Sequence, residues 1–135
     1  MNNNSKEGEI LTCLDDDLLL RRGRFEDAEA LTEFISEYVG PDAQDEQMRL
    51  WALDLMDGNL PGFGPENVTV VEDKNNGAIV STLNWIPQVW SYDGTEFKVG
   101  RIEAVATHPD YRLRGLFRLQ LETVHKWGEQ RGELV

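Results

Sequence analysis

The sequence predicts one α/β domain of the mixed α+β kind, a mainly antiparallel sheet flanked by helices. Three observations predict it. A short apolar run at Leu18-Leu19-Leu20 precedes two segments of helical periodicity, three strand-like runs follow with turn residues between them, and a third helical periodicity closes the pattern. Consecutive strands joined by tight turns pair as antiparallel neighbours. At 135 residues the chain has material for a single core and no second domain.

Leu18 to Leu20 with Arg21 and Arg22 read as a short buried first strand. Residues 1–17 are expected to be a flexible N-terminal tail and residues 18–135 the domain. Phe25-Glu26-Asp27-Ala28-Glu29 opens a helix with acids in its first turn, where the dipole favours them, and Ala28, Leu31, Ile35 and Tyr38 form its apolar stripe. Gly40-Pro41 stops that helix. Asp42 can cap a second one, whose Met48, Trp51, Ala52 and Leu55 keep helical spacing until Gly58. Leu60 to Pro65 is a loop, and Val68, Val70 and Val71 mark a strand. Lys74-Asn75-Asn76-Gly77 is a hairpin turn, and Ala78 to Trp90 returns as a long strand. Pro87 lacks a ladder donor, so that strand is bulged or open on one edge there. Alternation places Leu83, Trp85 and Val89 on one face, with Ile86 and Trp90 on the other. Residues 91–95 turn into a strand over 97–107, and the last helix shows Phe117, Leu121, Val124 and Gly128 on one face up to Gly132. Glu133-Leu134-Val135 begins a further element.

Composition narrows the function. With 40% hydrophobic and 28% charged residues the chain is an ordinary globular protein. It has no signal peptide and no apolar run long enough for a bilayer, so a cytoplasmic protein with no membrane partner is expected. Cys13 is the only cysteine, which leaves no internal disulfide and no thiolate metal cluster. A net charge of -12 argues against nucleic acid, whose binders need a basic face. The charge is uneven: residues 1–100 carry 7 Lys and Arg against 20 Asp and Glu, residues 101–135 carry 6 against 5. An acidic remainder suits a cationic acceptor such as an amine, or plain solubility.

Residues 99–118 set an apolar strand, a Pro turn and an Arg/Gly-rich helix entrance end to end. Amides at a helix start lack intrahelical partners and sit at the positive end of the dipole, so the segment suits a pyrophosphate, with Arg112, Arg114 and Arg118 adding charge-assisted bonds. Neither G-x-x-x-x-G-K-[ST] nor G-x-G-x-x-G occurs, which excludes the common nucleotide-binding loops.

Arg112-Leu113-Arg114-Gly115-Leu116-Phe117 resembles the R/Q-x-x-G-x-G/A signature of the GCN5-related N-acetyltransferases, and Val105-Ala106-Thr107-His108-Pro109-Asp110-Tyr111 looks like that family's approach to it. Arg21 to Phe34 is similar to the family's first strand and helix. The hairpin of residues 79–107 looks like its central strands, most like the relatives of aminoglycoside-acetylating enzymes. Phe117 departs from the pattern, standing where the family has a small residue. The resemblance implies acetyl-CoA as cofactor, and a primary amine acceptor that attacks directly. It implies that the stretch Val105, Ala106 and Thr107 meets the pantetheine arm, with Val105 and Thr107 supplying amides and a free N–H at the bulged strand facing the thioester oxygen. It also implies that Arg112, Leu113, Arg114, Gly115, Leu116, Phe117 and Arg118 cradle the pyrophosphate. A further helix and two strands would follow, so the chain is expected to be C-terminally truncated, with an uncovered sheet edge able to pair two copies as a homodimer. The alternative is a non-catalytic CoA-binding or interaction module.

Glu103 is the only carboxylate within the proposed central strand, and burial between sheet faces would raise its pKa toward that of a general base. Pairing with Arg101 or another Arg of the site is the other reading, and both stand. His108 is another possible base, better read as a surface turn residue, and His125 reads as helix surface. Asp15-Asp16-Asp17 reads as solvated, and without H-E-x-x-H, paired cysteines or a calcium loop no metal site is expected. Trp51, Trp85, Trp90 and Tyr92 either wall an acceptor cleft or pack the core.

Overall fold

Five strands pair in the order of the chain, each antiparallel to the next: β1 (Ile10–Cys13), β2 (Leu18–Arg22), β3 (Val68–Asp73), β4 (Ile79–Tyr92) and β5 (Thr95–Thr107). This computed structural model describes residues 6–14, 17–39, 46–58 and 60–134. Helices α1 (Ala28–Tyr38) and α2 (Glu46–Met56) cover one face of the sheet, and α3 (Leu116–Arg131) covers the other. Among the described residues no helix is long and apolar enough to cross a membrane.

Two apolar layers hold this sandwich. Leu31, Leu55, Phe63, Val68, Val70 and Ile86 pack under α1 and α2, while Leu83, Trp85, Val124 and Trp127 pack under α3. The assignment of Leu83 and Trp85 to the face opposite Ile86 therefore holds, and Trp85 is wholly buried. Arg21, only 2% exposed, fastens one edge by donating to both carboxylate oxygens of Asp27 (2.7 and 2.9 Å) and to Glu72 (2.9 Å). Arg22 lies 3.9 Å over the Trp127 ring.

Three expectations need correction. The tail of residues 1–17 contains β1, whose Cys13 and Thr12 pair with Leu19 and Leu20; its short run, exposed at most positions, carries little periodicity to announce a strand. The core stripe of α3 is Leu116, Gln120, Val124, Trp127 and Gly128, so Phe117 falls outside it and is 47% exposed. His125 is half-buried with its ring edge-on to Trp85 at 6.3 Å, and its Nε2 has no partner among the described residues. The proposed stop at Gly40-Pro41, the Asp42 cap, Asp15, Asp16 and the side chain of Met48 lie outside the described residues.

Pro87 shows why the long strand tolerates proline. β4 pairs with β3 only as far as Asn84, so Pro87 has a neighbour on the β5 side alone, opposite Gly100. The Gly100 N–H points away from β4, to the Leu134 carbonyl (2.7 Å). In an antiparallel ladder the facing residue points outward as well, so the missing N–H of Pro87 removes no bond.

Candidate active site

The site is built on the second half of β5 and the entrance of α3. Asn84 pairs with Glu103 and Thr82 with Ala106, which sets Ala104 and Val105 together against Leu83. This is a bulge, and Ala104 pays for it with a left-handed φ of 50°. Asn84 holds the bulge open: fully buried, it donates through Nδ2 to the carbonyls of Glu103 and Ala104, both at 3.3 Å. Its Oδ1 has no partner among the described residues.

The His108 N–H donates to the Val80 carbonyl (2.8 Å), which fixes the alternation behind it. Ala106 turns its backbone toward β4, and Thr107 and Val105 turn theirs to the outer edge. Of the predicted contact stretch, Ala106 therefore faces the wrong way for an arm lying along that edge. Leu134 lies against β5 only near Val99, accepting from Gly100 and donating to the Lys98 carbonyl (2.9 Å). From Ile102 onward the outer edge has no strand neighbour among the described residues.

A single 3-10 turn, Pro109–Tyr111, carries the chain from β5 to the helix entrance. The Nδ1 of His108 caps it, accepting from the Asp110 N–H at 3.1 Å, so this histidine is a turn residue as expected. Tyr111 ties the turn to the sheet by donating its hydroxyl to Asp73 (2.8 Å). Leu113 and Gly115 then take left-handed φ of 65° and 76°. Backbone folded this way lets successive amides converge. Arg112 and Leu113 form a hydrogen-bonded turn, after which the amides from Gly115 to Arg118 have no backbone acceptor among the described residues, and the first bond of the helix is made by Leu119 to the Gly115 carbonyl. A side chain at Gly115 would meet nothing within 4 Å, so glycine is needed there for its φ.

The three arginines of this entrance are exposed and lightly held. Arg112 donates to the Thr107 carbonyl at 3.4 Å, Arg114 lies 5.2 Å from the Tyr111 ring centre, and Arg118 pairs with Glu122 at 3.0 Å. Leu113 is fully exposed, while the side chain of Leu116 belongs to the core and leaves only its amide for a ligand.

Glu103 stands on the opposite face of the sheet from α3, at the wall of a cleft of about 390 Å³ between α2 and the β4–β5 hairpin. Its side chain is 29% exposed and paired with Arg101, so the expected burial between sheet faces is not found. Trp51, Asp54 and Gln88 share this cleft. Of the four aromatic residues proposed for it only Trp51 lines it; Trp85 is core, and Trp90 and Tyr92 are exposed on the hairpin. Among the described residues no group of three or more His, Cys, Asp or Glu is placed to hold a metal ion.

Residues 25–134 match the sequence pattern described as an acetyltransferase (GNAT) domain. The chain belongs to the GNAT acetyltransferase family. No curated protein matches this GNAT domain significantly by sequence. Solved structures match it by shape. It is similar to glucosamine-6-phosphate N-acetyltransferase from Arabidopsis thaliana, at 15% identity and a TM-score of 0.62, over 87% of this chain and 78% of that one. An acetyltransferase of Trypanosoma brucei, at 21% identity, gives 0.60 over the same shares. N-myristoyltransferase from Saccharomyces cerevisiae with bound myristoyl-CoA gives 0.71 at 14% identity, over 93% of this GNAT domain and 31% of that chain. At such identities the likeness is one of fold.

Two features of the GNAT site were missed in the sequence. One is Asn84, hidden inside a run read only for its apolar alternation. The other is Gln120, wholly buried beneath the helix entrance: its amide donates to Ser81 Oγ (2.7 Å) and the Leu116 carbonyl (3.0 Å), and its oxygen accepts from Thr69 (3.0 Å). Ser81 in turn bonds Thr107 (2.8 Å), linking α3 to the end of β5. Helical spacing between Leu116, Gln120 and Val124 was the available signal for Gln120.

Proposed function

We propose that this GNAT domain is an N-acetyltransferase that moves an acetyl group from acetyl-CoA to a primary amine by direct attack. One observation carries the reading. Four successive amides, Gly115 to Arg118, without backbone acceptors among the described residues and flanked by three exposed arginines, follow a bulged strand whose outer edge is open. These are the donors a pyrophosphate and an amide-bearing arm need, so the residues fit the cofactor. Arg112, Arg114 and Arg118 and the amides from Gly115 to Arg118 would hold the diphosphate, and the outward groups of Val105 and Thr107 would hold the arm. Phe117 contributes its amide, its side chain lying beside the entrance.

When bound, acetyl-CoA supplies the acetyl group as a thioester open to attack by an amine. Glu103 would take the proton of the incoming ammonium at the cleft wall, leaving a neutral nitrogen. The bulge amides would donate toward the carbonyl oxygen, and Asn84 keeps them turned outward. Isothermal calorimetry with acetyl-CoA against adenine, followed by release of free thiol with added amines, tests this. Binding of acetyl-CoA with turnover is the expected result; no binding would sink it.

A second reading has its own observation. Glu103 is already engaged by Arg101, which suits a CoA-binding module without catalysis. Binding without turnover on any amine would favour that module, and a Glu103→Gln variant with an unchanged pH–rate profile would remove Glu103 as base. We further propose that, without cofactor, the open edge of β5 pairs with a second copy, which the arm would displace; a monomer by light scattering of the cofactor-free chain at high concentration would refute this.

A further inference from the structure

We infer that Tyr111 is a positioning residue for acetyl-CoA, its ring seating the Arg114 guanidinium at the α3 entrance with the N–H groups left free for a diphosphate. This rests on the acetyltransferase reading and adds a residue to its binding corner. The entrance arginines are not alike. Arg112 donates to the Thr107 carbonyl and Arg118 is paired with Glu122, whereas Arg114 has neither a hydrogen bond nor an ion pair among the described residues. Its guanidinium lies instead over the Tyr111 ring, 5.2 Å from the ring centre. A guanidinium on an aromatic ring is held through the face of its plane, which leaves the donors at its edge for oxygen acceptors. An exposed arginine also loses rotamer freedom when it grips a ligand, and a ring that has already narrowed its positions lowers that cost.

The ring can serve as a seat because it is itself held by several elements. Its hydroxyl donates to Asp73 of β3 (2.8 Å), it packs on the apolar cluster that includes Leu20, Val80 and Leu116, and the His108 ring meets it nearly at right angles with 5.6 Å between centres. His108 is fixed in turn. The Asp110 N–H donates to its Nδ1 (3.1 Å), and the Tyr38 ring at the end of α1 lies 5.2 Å away. A tether for the turn needs only the Tyr111 hydroxyl, whereas a seat for Arg114 needs the ring. Leucine and phenylalanine at this position therefore separate the two roles.

The test is a double-mutant cycle on the full chain, read by calorimetry with acetyl-CoA and, in the cofactor-free chain, by the NMR positions of the Arg114 side-chain protons. In the parent those protons should stand upfield, shifted by the ring current, and should return to ordinary positions in Tyr111→Leu. Tyr111→Leu should weaken acetyl-CoA about two- to fivefold, as loss of an exposed contact between cation and ring predicts. Tyr111→Phe keeps the ring and gives up the Asp73 bond, so it should restore most of that affinity. With Arg114→Ala already in place, Tyr111→Leu should cost nothing more. Unshifted Arg114 protons in the parent, a phenylalanine variant as weak as the leucine one, or equal losses from Tyr111→Leu with and without Arg114 each overturn the inference. A parent chain that binds no acetyl-CoA strikes the acetyltransferase reading instead, and the ring-current shift still decides whether Tyr111 seats Arg114.

Discussion

Arg21 and Arg112 to Arg118 are the same chemistry put to opposite uses at two corners of one sheet. Arg21 is buried and spends its donors on Asp27, Glu72 and the Arg22 carbonyl. Burial alone would lower the readiness of its guanidinium to stay charged, and the bonds to Asp27 and Glu72 outweigh that, so the charge is held more firmly than usual. At the α3 entrance the arginines are exposed and loosely tied. A guanidinium satisfied inside the protein fixes the fold; one left at the rim of unbonded amides stays available to a ligand.

Substitutions can break this contrast in order of size. Arg21→Ala strands two acids, and urea denaturation should show a loss of about 3–5 kcal/mol. A loss under about 1 kcal/mol would mean that the corner relaxes. Gln120→Ala, beneath the α3 entrance, should cost about 1–3 kcal/mol by removing its buried bonds to Ser81, Thr69 and the Leu116 carbonyl and leaving a void in their place. Arg114→Ala should leave the urea midpoint within about 0.5 kcal/mol of the parent while weakening acetyl-CoA by about tenfold in calorimetry. Stability loss without affinity loss there would reverse the two roles.

The smallest effect is one of pH. The Asn75 amide, and after it the Tyr111 hydroxyl, hold the Asp73 carboxyl below its ordinary range. A depressed value means that the stabilisation is present above about pH 4 and is lost as pH falls through the folded value. The bond to Asp73, with burial adding to it, pushes the Tyr111 phenol up, so its contribution is present below about pH 10 and fades as pH rises through its folded value. Tyr111→Phe should therefore flatten both limbs of a stability–pH profile, and unchanged limbs would show that the turn is held by other means.

The element order was legible because apolar spacing and turn residues report directly on backbone pairing. Lys74 to Gly77, for example, forms the predicted hairpin, with Gly77 at a φ of 72°. The arginine-rich entrance was legible for the same local reason. β1 was not, since a short exposed strand gains its order from β2 rather than from its own pattern. Nor was the partnership of Glu103 decided: residues 101 and 103 share a strand face, but only the cleft geometry sets whether they pair. Asn84 and Gln120 act across the sheet, and a polar residue buried by distant neighbours leaves a faint local trace.

Trp85 is bounded by two glycines from different elements. A methyl at Gly100 would fall 1.7 Å from its Cζ2 and one at Gly128 2.7 Å, while its indole N–H donates to Glu133 at 2.7 Å. The ring thus works as a bolt through β5 and the tail end of α3, seating Glu133 just before Leu134 meets the sheet. Neither glycine can drift in evolution by itself, and a smaller residue at 85 would be the step that frees both.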